Sequence, residues 1–317
     1  MAIELSSLTF TDQDDVVPAS GVEEILNTGI ANTLAGNDII TGMGVTGIEN
    51  SSTLNTDDGN DIITGNSTDY GHGIINTGFI NTGNGKDIIT ATASTTQYSF
   101  ALSNFSIIDT GEGNDIITGI GITGTGNVGI YNSSYIPQSY PQIKTGEGND
   151  IITAIGDFIN AGTIKTGNGN DSIFTYGRLS NYNSFSYSTI ETGNGNDIIT
   201  SFGTIFNNGE INTGNGNDSI IADGGVGEDF GGNGRVFLGD GKDYLKGFGS
   251  GDFNGGTGKD TLELTPGIYT IEISGLGVNF TNSIGIIMKT YEFEKLIVNN
   301  TTYNFASLTN GQTISVT

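Results

Sequence analysis

Apolar residues along this chain return at fixed offsets from one polar turn. In Thr192 Gly193 Asn194 Gly195 Asn196 Asp197 Ile198 Ile199 Thr200, a glycine-rich turn ends in an aspartate and runs into a short β-branched strand. The same turn, with Glu or Asn third, recurs at 110–115, 145–150, 166–171 and 213–218, and looser copies end at Asp38, Asp61 and Asp87. Strand parity divides the isoleucines after each aspartate between two faces. Ile40, Ile63, Ile89, Ile117, Ile152 and Ile199 fall on one face and Ile39, Ile62, Ile88, Ile116, Ile151 and Ile198 on the other, so one row is expected inside and one outside. Between Asp197 and Asn217 the pattern predicts a strand at 197–200, a corner at 201–203, a run at 204–206, a turn at 207–209 and a run at 210–212. Helix is disfavoured by glycine density and by apolar runs too short for two helical turns.

The turn aspartates from 38 to 218 fall 21 to 35 residues apart. Repetition at that period predicts a solenoid, in which each unit buries its apolar side only against its neighbours. The expected organisation is a lead-in or cap at 1–24, a wide-coil calcium-binding β-solenoid at 25–223, a narrower roll at 224–264 and a β-rich cap at 265–317. Spacings of 14 and 17 among Asp229, Asp243 and Asp260 suggest that turns there alternate between two edges. The cap is expected to hold strands at 268–273, 284–288, 294–298 and 303–305, because a solenoid end must be covered.

Composition adds the chemistry. Acidic residues number 35 against 10 basic ones, a formal charge of -25, which disfavours nucleic acid and anionic membrane as partners. Much of that acid lies in the recurring turns, where stacked aspartates repel unless cations sit between them. There is no cysteine and one histidine, His72, so thiolate and histidine metal sites are excluded. Calcium is the cation expected, because it takes six to eight hard oxygens in irregular mixtures of carboxylate and carbonyl. The candidate carboxylate ligands are Asp38, Asp61, Asp87, Asp115, Asp150, Asp171, Asp197, Asp218, Asp229, Asp243 and Asp260, with each ion clipping one coil to the next. Residues 1–10 do not read as a cleaved secretion signal, and no apolar run of about 18 residues exists to span a membrane.

These turns resemble the hemolysin-type calcium-binding repeats of the RTX family, whose motif is Gly-Gly-x-Gly-x-Asp followed by x-apolar-x. Gly255, Gly256, Gly258, Asp260 and Leu262 match it most fully, whereas Thr replaces the first Gly in most copies. The resemblance covers roughly residues 25–264. It implies a right-handed parallel β-roll with several calcium ions in the turns, Asp197 and its equivalents as carboxylate ligands, and backbone carbonyls from Asn84, Asn168, Asn194, Asn196, Asn215 and Asn217. It also implies an extracellular or cell-surface location reached by type I secretion.

No zinc motif, nucleophile turn or phosphate loop is present, so an enzyme is not expected. The longer units carry inserts at one repeat position, and their aromatics Tyr98, Tyr131, Tyr135, Tyr140, Tyr182 and Tyr187 are candidate recognition residues. The expected function is calcium binding by an extracellular structural or interaction protein. Surface glycan and self-association through the outer isoleucine row are candidate partnerships. A carbohydrate-binding adhesion module is one alternative; ice binding is another, through Thr41, Thr64, Thr90, Thr118, Thr153 and Thr200, each three residues after its aspartate.

Overall fold

The computed structural model describes residues 2–18, 23–94, 100–121, 127–133, 140–182, 188–224 and 229–317. It is an all-β parallel solenoid whose chain visits three sheets in turn. One coil runs from Ile48–Asn50 in the first sheet to Thr53–Asn55 in the third, through the aspartate turn to Ile62–Ser67 in the second, and back to the first at Ile74–Asn76. The observed strands Ile198–Ser201, Ile205–Asn207 and Glu210–Asn212 agree with the pattern read between Asp197 and Asn217. Among the described residues, ten strands make the first sheet, thirteen the second and fourteen the third.

Alternation explains how such short strands fill a core. Ile40, Ile63, Ile89, Ile117, Ile152 and Ile199 stack in register and are buried, facing Leu54, Ile80, Ile108, Ile143 and Ile164 from the third sheet and Ile48, Ile74, Leu102 and Ile130 from the first. The other isoleucine row points outward as expected, with Ile151 and Ile198 each 38% exposed.

The corner between the first and third sheets is polar inside. Asn27, Asn50, Asn76, Asn104, Asn132, Asn160, Asn181 and Asn207 are buried in one column. Asn76 Nδ2 donates to Asn104 Oδ1 and Asn104 Nδ2 to Asn132 Oδ1, both at 2.8 Å, and the remaining amide proton reaches a carbonyl of the third sheet, Gln142 in the case of Asn104. An amide carries both donors and acceptors, so a column of them satisfies itself and the carbonyls that the corner strands from their partners.

Ile3–Glu4 and Val16–Val17 pair in parallel with Ile25–Asn27 and Ile39–Gly44, so the lead-in at 1–24 contributes an incomplete first coil. Asp243 and Asp260 do not alternate with the earlier turns between two edges. Their carboxyls continue the single column that holds Asp218, because 25 residues still complete the coil from Asp218 to Asp243. The cap is antiparallel: Gly267–Ser274 pairs with Gly277–Asn282 and Thr313–Val316, and Lys295–Val298 with Thr301–Asn304. Reversing strand direction there closes the end over Phe280, Met288, Phe293 and Leu296.

The outer face of the third sheet is charged. Lys144 pairs with Asp109, Lys165 with Glu191, Arg235 with Glu210 and Lys289 with Asp252, each joining neighbouring coils.

Replacing Asn104 by Ala strands the amide of Asn76 and the Gln142 carbonyl in the interior. The expected cost is about 1–3 kcal/mol, read from the urea midpoint, whereas Ile116→Ser on the outer row is expected to move that midpoint far less.

Candidate metal centre

The turn preceding each second-sheet strand is built by close backbone stacking. Gly193 and Gly195 have φ of +100° and +141°, and a Cβ on them would lie 1.9 and 1.5 Å from the carbonyl oxygens of Gly167 and Gly169 one coil earlier. Only glycine lets backbones approach so closely. The turn threonines are buried, and Thr56, Thr82, Thr145, Thr166 and Thr192 each donate a hydroxyl to the carbonyl of the next coil's threonine at 3.2–3.3 Å.

The aspartates then form a continuous ladder. The backbone N–H of Asp87 donates to Asp115 Oδ1 at 2.9 Å, that of Asp115 to Asp150 at 2.8 Å, that of Asp150 to Asp171 at 2.8 Å and that of Asp171 to Asp197 at 2.8 Å. Ten of the expected ligands, Asp38, Asp61, Asp87, Asp115, Asp150, Asp171, Asp197, Asp218, Asp243 and Asp260, stand in this column. In every one the second oxygen, Oδ2, is buried without a hydrogen-bond partner. The neighbouring threonine hydroxyl does not satisfy it where its one proton goes to the next coil's carbonyl. Burial pushes the carboxyl pKa up throughout, to about 6 at Asp61, Asp171 and Asp260 and about 7 at Asp87, Asp150 and Asp218. Such a column needs either protons or cations.

Two members escape the sequence reading. The Asp15 N–H donates to Asp38 Oδ1, and Glu294 accepts from the Asp260 N–H at 2.7 Å, closing the ladder at the cap. Asp229, expected among the turn aspartates, lies elsewhere, before the first-sheet strand Phe230–Gly231. There its Oδ2 accepts from the Thr265 hydroxyl and from the Phe248 N–H, and its Oδ1 is buried without a partner.

The asparagines of the turn occupy two exposed rows. The carbonyls of Asn84, Asn168, Asn194 and Asn215 each accept an N–H from a glycine of the preceding coil at 2.7–2.9 Å. Asn196 and Asn217 belong to the outer row, where the Asn217 amide donates to Asn196 Oδ1. Among the described residues no three acidic or histidine side chains converge. A cation at this edge would be held by the buried, unpartnered carboxylate oxygens of the turn aspartates, with backbone carbonyls as the other oxygens within the turns. Hard, anionic oxygen without a competing donor suits calcium, so the residues present fit the ion.

Of the insert aromatics, Tyr98, Tyr135 and Tyr187 lie outside the described residues. Tyr131 stacks on Phe100 with centroids 4.7 Å apart, Tyr182 meets Phe206 edge-on, and Tyr140 is exposed. Among the described residues no helix is long and apolar enough to cross a membrane.

No family model matches the chain, and no curated protein matches it. The resemblance to the hemolysin-type repeats is therefore one of motif residues, with no family match beside it. Among solved structures, the chain is similar to a hyperactive, Ca2+-dependent, β-helical antifreeze protein from an Antarctic bacterium, known from an X-ray crystal structure. The two are 17% identical with a TM-score of 0.41, over 83% of this chain and 77% of that one.

The raised carboxyl pKa values set the sign of the pH dependence. Between about pH 4 and 7 the folded, metal-free chain holds more protons than the unfolded one, so its stability is full below the ordinary carboxylate pKa and falls as pH rises through 6 to 7. Melting in chelator is expected at progressively lower temperature from pH 4.5 to 7.5, and added calcium is expected to flatten that decline; a metal-free melting point independent of pH counts against the buried column.

Proposed function

We propose that the chain is a non-catalytic, calcium-stiffened extracellular solenoid that binds ice through the outer face of its second sheet. The observation that carries this reading is a column of threonines in unbroken parallel register, Thr41, Thr64, Thr90, Thr118 and Thr153, flanked by Ile39, Ile62, Ile88, Ile116 and Ile151. These side chains stand half-exposed or exposed at about 4.8 Å between strands and about 6.7 Å along them. Both residue types are β-branched, so each position holds its methyls and hydroxyl in few rotamers. A flat lattice of fixed methyl and hydroxyl groups can order water over an area, which a mobile charged surface cannot. Phe174 interrupts the column, Thr200 resumes it almost buried, and Ile221 and Lys246 end it.

Calcium belongs to the reading as a structural ion. Asp38 to Asp218, with Asp243 and Asp260, would hold it, and when bound it supplies the positive charge that lets the column ionise at neutral pH. The ladder then keeps the turns in line, and the turns fix the spacing of the adjoining threonine strands. Export by a type I route fits the acidic, cysteine-free composition. A second reading, a carbohydrate-binding adhesion module, draws on the exposed rings of Tyr140 and Tyr182.

Separate measurements test the cation and the ice-binding face. At about pH 8.5, well above the raised carboxyl pKa values, chelation is expected to abolish the β circular-dichroism signal and calcium to restore it, with Asp150→Asn lowering the number of bound ions in titration calorimetry. A spectrum and stoichiometry indifferent to both would remove the cation. In calcium, the chain is expected to shape ice crystals and depress their growth temperature. Thr90→Lys should abolish this with folding intact, while Lys165→Thr on the third sheet should not. Glycan-array binding without any ice shaping would replace this reading with the second.

A further inference from the structure

The inner exposed row of the turn edge carries a chemical liability that the fold itself imposes. Position four of the turn must be glycine, since a Cβ at Gly85, Gly169, Gly195 or Gly216 would lie 1.4–1.5 Å from a carbonyl oxygen of the preceding coil. Position three is Asn84, Asn168, Asn194 or Asn215, so each of these turns contains an Asn-Gly pair. In such a pair the glycine nitrogen, unhindered by a side chain, can attack the asparagine Cγ. The N–Cγ bond forms, the Cγ–Nδ2 bond breaks, and Nδ2 leaves as ammonia with the proton given up by the glycine nitrogen. Water then opens the cyclic imide: cleavage at Cγ gives aspartate, and cleavage at the backbone carbonyl gives isoaspartate. No redox partner is involved.

In the stacked coils both reacting groups are held. Gly85, Gly169, Gly195 and Gly216 donate their N–H to the carbonyls of Glu112, Asn194, Asn215 and Asp240 of the next coil at 2.7–2.8 Å. The side-chain amides are tied to the coil before: Asn84 Nδ2 donates to Asp58 at 2.7 Å, Asn168 to Glu147 at 2.6 Å, Asn194 to Asn168, and Asn215 to Asn194 at 2.5 Å. Attack requires the glycine to give up its interstrand bond and the amide to swing away from its partner.

We propose that Asn84, Asn168, Asn194 and Asn215 are deamidation sites that the coil stack keeps shut and that convert when the turn edge opens. The two products differ in consequence. Aspartate fits the row, because Asp58 and Asp240 already occupy the same position before Gly59 and Gly241. Isoaspartate adds a backbone carbon to a turn with no room even for a Cβ, so a converted coil cannot restack. The row therefore marks irreversibly the time the chain has spent open.

The test incubates the full chain at mildly alkaline pH, folded in calcium and separately unfolded in urea, and follows the four sites by peptide mass mapping with isoaspartate quantification. Opening by denaturant makes the outcome independent of the cation reading. At least about tenfold slower conversion is expected in the folded chain, and after urea removal isoaspartyl chains should stay in the unfolded fraction. Equal rates in the two states, or isoaspartyl chains that regain the native spectrum, would overturn the proposal. The triple variant N168D/N194D/N215D is expected to fold like the unmodified chain; its failure to fold would assign the damage to charge and overturn the proposed role of the added backbone atom.

Discussion

Everything in this molecule hangs on a backbone N–H given by each turn aspartate to the carboxyl of the next. That bond fixes Oδ1, leaves Oδ2 buried and unpartnered, and sets one coil over another. A buried carboxylate with half its hydrogen-bonding capacity unmet is costly. Repeated along a column, the cost cannot be relieved by local rearrangement, because each carboxyl is pinned by its neighbour. The interaction that orders the stack thus also creates its demand for protons or cations.

The three faces divide the remaining work. The second sheet presents isoleucine and threonine, the third presents paired charges, and the first carries aromatics such as Tyr131 and Phe206. Their interiors are nearly interchangeable, built from isoleucine, leucine and the asparagine column. Selection on an outer residue can proceed without disturbing the core, because alternation places the two on opposite sides of the same strand.

How much of this is legible in the sequence depends on how each signal is spaced. The parallel β-coil and the aspartate column are readable because Gly195, Asp197 and Ile199 recur at invariant offsets. The buried asparagine ladder is not, since Asn207 falls in the 207–209 segment that reads as an ordinary turn, and only stacking reveals the column that it shares with Asn76 and Asn104. Asp15 lies in a segment without the turn glycines, and Glu294 reaches the ladder with a longer side chain from beside a cap strand. Asp229 imitates the motif in one dimension. Spacing alone cannot separate a shortened coil from a carboxylate that belongs to another corner, and Thr265, which accounts for its placement, is distant in sequence.

The salt bridges of the third sheet take on a different meaning in a rod built this way. A column of near-identical coils is degenerate: slipping one coil past another would lose little burial, because isoleucine would still meet isoleucine. Asp109 opposite Lys144, Lys165 opposite Glu191, Glu210 opposite Arg235 and Asp252 opposite Lys289 set acid and base in an irregular order on an otherwise repetitive surface. Each exposed pair is worth little to stability. Together they favour the register in which each acid meets its base, a preference that the uniform interior cannot express.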